Sequence, residues 1–287
     1  MPDNEQVVTE TMMPVNGIEL CVETFGEPGD PALLLIAGAT GSMDWWDDEF
    51  CRRLAAGGRH VIRYDHRDTG RSTSFPAGDP PYSDVDLAHD ALGVLDALGI
   101  HQAHLVGLSM GGALAQRIAV ERPHRVLSLS LMATSTVPPA YEMSPPALGT
   151  DPSPQWSDRR SAVNSIVAAV RRLGGPFTAD DPHLRRLAER VFDRTHNMAA
   201  SQTNHLRCAG GPPVRDRLAE ITAPTLILHG TLDPVFPPPH AEALCTEIPG
   251  ARLVWLEGVG HEFPPSAVWC QVIDEIIDQA GRRTQPA

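Results

Sequence analysis

What is scarce in this chain limits it first. In 287 residues there are five cysteines, Cys21, Cys51, Cys208, Cys245 and Cys270, far apart and without a Cys-x-x-Cys pair. An odd number at such spacing excludes a disulfide framework and a zinc knuckle, and reads as small apolar side chains in a reducing cytoplasm. Positive charge is also short. There are 23 basic residues against 36 acidic ones, a net charge of −13, with a pI near 5.3. A broadly basic surface is therefore absent, no nucleic acid or membrane partner is expected, and the acidic balance serves solubility. No apolar run approaches the roughly 20 residues of a membrane span. The opening stretch, Met1 to Gln6, is polar and acidic, without the basic-then-apolar order of a signal peptide. Internal repeats and interdomain linkers are missing too. With 42% hydrophobic and 21% charged residues, the chain can bury one large core, or a core with a smaller insertion.

What is present is an alternation. Val7 to Met13 and Ile18 to Phe25 flank Pro14-Val15-Asn16-Gly17, and Asn-Gly is a hairpin signal, so an antiparallel pair opens the chain. Ala32 to Ala37 is continuously apolar, as a strand buried on both faces must be. Strand patterns recur at His60–Asp65, His104–Ser109, Val126–Met132, Thr225–Leu228 and Arg252–Glu257. Helical spacing lies between them at Asp47–Ala56, Asp84–Leu98, Gly111–Glu121, His240–Glu247 and Ser266–Ala280. Strand and helix in turn mean βαβ units and a parallel sheet. The rhythm fails after Thr134. A proline-crowded stretch and helical patterns near Ser157–Leu173 and Pro182–Asn197 carry no strand-like run. The organisation read from this is a core of residues 1–136 and 214–287, with residues 137–213 inserted as a helical cap.

One turn organises the rest. Gly107-Leu108-Ser109-Met110-Gly111 joins a strand directly to a helix. Such a reversal strains its central residue and brings backbones together, and glycines two positions either side remove the Cβ atoms that would collide. Ser109 is left on the corner with its hydroxyl exposed, a nucleophile that needs a base. A glycine-rich turn with an ordinary serine is the bland alternative, so the test is whether an acid and a histidine follow at later strand ends. Asp233 follows the Thr225–Leu228 strand and His261 follows Arg252–Glu257. An open parallel sheet places its ligands outside those carboxyl ends. Neutral imidazole titrates where a general base for serine should, and a carboxylate behind it fixes the tautomer. His66, His229 and His240 are rivals, but none stands in the last strand-to-helix loop. Two backbone amides are expected to hold the oxyanion, that of Met110 after the nucleophile and that of Ala39 in Gly38-Ala39-Thr40-Gly41-Ser42.

The stretches Ile36-Ala37-Gly38-Ala39, Asp65-His66-Arg67-Asp68-Thr69-Gly70-Arg71-Ser72, Gly107-Leu108-Ser109-Met110-Gly111-Gly112, Gly230-Thr231-Leu232-Asp233 and Gly260-His261 resemble the α/β-hydrolase fold family over nearly the whole chain. Within it, Pro31-Ala32-Leu33-Leu34-Leu35, Asp48-Glu49-Phe50, His60 to Asp68 and the serine turn are most similar to the aclacinomycin (anthracycline) methylesterases. The resemblance implies a mostly parallel eight-stranded sheet with helices on both faces and a cap between the sixth and seventh strands. It also implies hydrolysis of a small-molecule ester through an acyl-serine, with no cofactor and no metal. Many members carry His-Gly at the oxyanion loop, where this chain has Ala37-Gly38, so that histidine side chain has no counterpart while the backbone donor remains.

Three other functions use the same fold. A carbon–carbon bond hydrolase would want a cap cation for a substrate carboxylate, and Arg171, Arg172 and Arg194 are available. A cofactor-free perhydrolase often shares Ser-Met-Gly-Gly. A ligand receptor would keep the fold without sustained turnover. For the leading reading, an esterase acting on a polyketide methyl ester or a similar bulky apolar substrate, Met110, Met132, Trp45, Trp46, Met143, Trp156 and Phe236 are the candidate pocket walls.

Overall fold

The computed structural model describes residues 10–136, 154–179 and 183–281. Its opening hairpin pairs β1 (Thr11–Val15) with β2 (Ile18–Phe25). Asn16 and Gly17 both take positive φ, 50° and 81°, the two-residue turn whose twist matches that of the strands. The first strand starts and ends later than the sequence pattern predicts, and of the predicted run Val7 to Thr9 lies outside the described residues. Pro14 is inside the strand, opposite Glu19. A proline is tolerated there because β1 is the sheet's edge, where one side needs no donor.

Behind the hairpin come β3 (Ala32–Ile36), α1 (Asp48–Ala56), β4 (His60–Tyr64), α2 (Asp84–Ala97), β5 (Ala103–Leu108), α3 (Met110–Glu121) and β6 (Val126–Met132). After the helical segment follow β7 (Thr225–Gly230), α8 (Pro239–Glu247), β8 (Arg252–Leu256) and α9 (Trp269–Gly281). The eight strands form one sheet in the order β1-β2-β4-β3-β5-β6-β7-β8, parallel from β4 onward. Period-two alternation splits β3 between two cores. Ala32, Leu34 and Ile36 face the cluster under α2, α3 and α8, whereas Leu33, Leu35 and Ala37 face the one under α1 and α9. Both faces being covered explains why the run is apolar throughout.

Local chemistry sets the helix ends. Asp47 accepts from the Glu49 amide ahead of α1, and Ser83 with Asp86 forms a capping box ahead of α2. Between β6 and β7 the described residues form α4 (Arg159–Leu173), α5 (Pro176–Ala179), α6 (Leu184–Arg194) and α7 (Met198–Thr203). The helix predicted to run through Asn197 stops at Arg194. Asn197 is extended instead and caps α7, its side chain accepting from the Ala200 amide. Among the described residues no helix is long and apolar enough to cross a membrane.

Candidate functional site

Ser109 stands between β5 and α3 at φ 53° and ψ −117°, a backbone conformation costly for a residue with a Cβ. The neighbouring glycines show why the turn tolerates it. A Cβ on Gly107 would land on the Gly111 carbonyl, and one on Gly111 would land on that of Ile36. The corner is held from behind, since the Ser109 amide donates to the Met132 carbonyl at 2.9 Å and Thr134 Oγ1 donates to the Ser109 carbonyl at 2.8 Å.

The structure brings the other two sequence-predicted residues to this serine. His261 Nε2 lies 2.9 Å from Ser109 Oγ, and its Nδ1 lies 2.9 Å from Asp233 Oδ2. A carboxylate only accepts, so Nδ1 carries the proton and Nε2 is free to accept from the serine hydroxyl. Asp233 is buried, and its Oδ1 accepts from the Val235 and Phe236 amides, each at 2.8 Å. Burial raises its pKa, but the hydrogen bond and charge of His261, with the Phe236 amide, bring it below the ordinary value overall. Phe236 closes the far side, its ring meeting that of His261 edge-on at 5.4 Å.

Of the two residues predicted to supply oxyanion amides, Met110 follows Ser109 directly and Ala39 lies in the loop packed beside it. Met110 is the first residue of α3, where an N–H has no helical carbonyl to bind. Ala39 follows Gly38, which packs so close that a Cβ on Gly38 would sit 3.3 Å from Ser109 Cβ. Among the described residues, no group of three or more His, Cys, Asp or Glu side chains could hold a metal ion.

The rivals are held by other partners. Buried His66 binds the Ala37 carbonyl through Nε2, and burial pushes its pKa down to about 3. His240 Nδ1 meets Ser135 Oγ at 2.7 Å. His229 is the surprise, because its Nε2 donates to the Phe236 carbonyl and stands 3.6 Å from Asp233 Oδ2, a second imidazole against the acid. Burial holds it below its ordinary pKa and so neutral. Arg194 is committed to Asp44, Asp65 and Glu10, so this cation is not available to a substrate carboxylate. Arg171 and Arg172 lie exposed in the last turn of α4. Of the pocket-wall candidates, Met110, Met132, Trp46 and Phe236 are core, Trp45 and Trp156 pack half-buried against the helical segment, and Met143 lies outside the described residues.

Sequence reasoning missed Glu262 and His205. Glu262 is buried and its Oε1 accepts from the amides of Gly175 and Gly260, while Oε2 accepts from Thr178 Oγ1. With the His261 amide donating to the Leu173 carbonyl at 2.8 Å, this ties the histidine loop to the end of α4. An acid adjacent to a catalytic-type histidine was the one available signal.

Comparison with known proteins agrees with this architecture. The alpha/beta hydrolase fold family matches residues 31–266. The chain is 36% identical to rhodomycin D methylesterase DauP of Streptomyces sp. (strain C5), over 88% of this chain and 92% of that one. It is 35% identical to rhodomycin D methylesterase DnrP of Streptomyces peucetius, over 86% and 90%. Among solved structures, the enol-lactonase from Burkholderia xenovorans LB400 superposes with a TM-score of 0.75 at 24% identity, covering 95% of this chain and all of that one.

Proposed function

The chain belongs to the alpha/beta hydrolase fold family and is a carboxylic ester hydrolase, and from that premise we propose that Ser109, His261 and Asp233 cleave the ester through an acyl-serine intermediate. The observation that carries the proposal is the unbroken line from Asp233 Oδ2 through both nitrogens of His261 to Ser109 Oγ, with 2.9 Å at each joint. As Ser109 Oγ attacks the ester carbonyl, His261 Nε2 takes its proton, and the Asp233 carboxylate stabilises the imidazolium. Charge gathers on the former carbonyl oxygen, where the amides of Ala39 and Met110 point and cost no reorganisation. Collapse expels the alcohol, which receives the proton from His261. Water then repeats the sequence on the acyl-serine and releases the acid.

The substrate we propose is the methyl ester of a polyketide or a comparably bulky apolar acid, as the names of the two methylesterase relatives suggest. We read residues 137–213 as the cap that encloses it, and the five free cysteines fit a protein of the cytoplasm. A panel of p-nitrophenyl and polyketide methyl esters, assayed with wild type and S109A, tests the mechanism. S109A should lose about 10⁴ to 10⁶ in kcat with an unchanged melting temperature. Near-wild-type turnover in S109A would refute it.

A further inference from the structure

The loop that presents the Ala39 amide is not self-supporting. Gly41 N–H donates to the Gly38 carbonyl at 3.1 Å, closing a four-residue turn. Thr40 sits in it at φ 65°, while Ala39 has no positive φ. Negative then positive is the type II pattern, which wants glycine or asparagine at its third position. Here that position is a β-branched threonine, for which left-handed backbone is a genuine strain. Left to itself, the Ala39–Thr40 peptide would gain by turning over, which swings the Ala39 carbonyl and the Thr40 N–H round and loosens the turn from which the Ala39 N–H projects.

One side chain opposes this, and it comes from the far end of the helical segment. His205, in a 3₁₀ turn at Asn204–Leu206, accepts the Thr40 N–H on Nδ1 at 3.1 Å. Its Nε2 lies 2.9 Å from the Arg67 carbonyl, which can only accept, so the ring is the neutral Nε2–H tautomer with Nδ1 bare. The ring is boxed in by His66 edge-on at 5.6 Å and Tyr82 at 6.4 Å, and it is buried. Its neighbour Asn204 fixes the turn to the core. Asn204 Nδ2 donates to Asp68 Oδ2 at 2.9 Å and to the Pro76 carbonyl at 3.1 Å, and its Oδ1 accepts from Gly78 N–H at 2.7 Å.

We infer that His205 is a positioning residue for the oxyanion hole. It captures the Thr40 amide, locks the strained turn, and so keeps the Ala39 amide aimed at the oxygen that becomes negative. The inference rests on the serine-hydrolase reading above and adds to it a residue 165 positions away from the loop it holds. The ring never touches substrate; it acts through the backbone of the turn.

Three variants test it: His205→Leu removes the acceptor at similar size, His205→Asn puts an amide oxygen where Nδ1 was, and His205→Leu with Thr40→Gly removes the strain as well. The readouts are ester kcat and KM, melting temperature, the affinity of an aryl boronic acid, and the rate at which a fluorophosphonate reacts with Ser109. In the last of these the Ser109 oxygen bonds to phosphorus as fluoride leaves. A lost oxyanion donor costs ~10²–10³, so a displaced one in H205L should cost about 10–100-fold in kcat, with a matching loss in boronate affinity and KM within about threefold. H205N should recover most of that loss, and so should Thr40→Gly, because glycine takes positive φ freely. If H205L and H205N lose melting temperature alike while kcat and boronate affinity stay at wild-type values, the inference is overturned. Should H205L not fold, T40G alone decides: in it His205→Asn should be without effect, and a penalty there would overturn the idea. Equal phosphonylation of wild type and S109A would bring down the hydrolase reading itself, whereas normal labelling with equal rates in wild type and H205L would bring down only the role of His205.

Discussion

The sheet and the helical segment inserted into it hold together by opposite means. The sheet lies between two extensive apolar clusters, and strands such as β3 are buried at every position. The described part of the insertion has one small cluster of its own, in which eight buried residues from α4, α6 and Met198 pack. Trp45 gives it one apolar joint to the core, and much of the rest of its attachment is polar. Arg194 reaches Asp44, Asp65 and Glu10, Glu262 reaches Gly175 and Thr178, and His205 and Asn204 grip the loops at Thr40 and Asp68. Apolar area is non-directional and fixes which elements pack. Hydrogen bonds are directional and fix where a loop stops, to a fraction of an ångström. The fold thus comes from the first kind of contact, and the alignment of the site from the second.

That division is broken or upheld most sharply at Asp233, which belongs to the core but is polar. Its Oδ1 holds the turn through two amides, and only Oδ2 faces His261. In Asp233→Asn the amide oxygen can keep the turn while the NH₂ faces Nδ1 and reverses the imidazole tautomer. Turnover should fall about 10⁴-fold with little change in denaturant midpoint. A large loss of stability with mild loss of kcat would show that the residue is chiefly a turn former.

Next in size is Arg194→Met, which cuts a joint. Asp65 and Asp44 have no exposed side-chain surface, so the change leaves Asp65 without its cation and Asp44 with Arg190 alone. Breaking such a pair costs about 3–5 kcal/mol, to be read from urea unfolding near neutral pH. The pH dependence has a definite sign. Burial already raises the Asp65 pKa, and Arg194 opposes that rise. Without the arginine the folded-state value climbs further above the unfolded one, so the stability this group contributes is present at low pH and lost as pH rises through the folded pKa. The deficit of the variant should therefore be smallest in acid and grow toward neutrality. A deficit that grows in acid instead would mean that Asp65 is not the group left unpaired.

These joints also mark where sequence reading stops. The period-two and 3.6-residue patterns are local, so β3 and α2 were legible to within a residue or two. Ser109, Asp233 and His261 were placed by a rule about strand ends, which needs only the strands. Nothing local marks His205, whose partners at Thr40 and Arg67 lie 165 and 138 residues away. The helices Pro176–Ala179 and Met198–Thr203 are four and six residues long, too short for a periodicity to declare itself. The Asp65–Ser72 motif was visible but mute, because its work is internal. Asp65 accepts from the Met43 and Arg71 amides, and Arg67 forms a two-pronged pair with Asp90.

Glu262 separates geometry from charge at the joint nearest His261, and its expected effect is the smallest. Gly175 and Gly260 both donate to the same oxygen, Oε1, while Thr178 donates to the other. In Glu262→Gln the amide oxygen can keep the two glycine N–H groups. The new NH₂ then donates to Thr178 Oγ1, a hydroxyl that accepts as readily as it donates. Every hydrogen bond survives with one direction reversed, and only the charge assistance is lost, about 1 kcal/mol of stability and under threefold in kcat. Glu262→Leu leaves two buried amides without acceptors, each costing roughly 1–3 kcal/mol, and lets the loop of His261 move away from α4. If the joint works by direction, Gln and Leu must differ widely in both melting temperature and kcat. Were Gln as damaging as Leu, the negative charge itself would be what binds the histidine loop to the inserted helices, and the contrast between the two regions would have to be redrawn as one of electrostatics rather than of hydrogen-bond geometry.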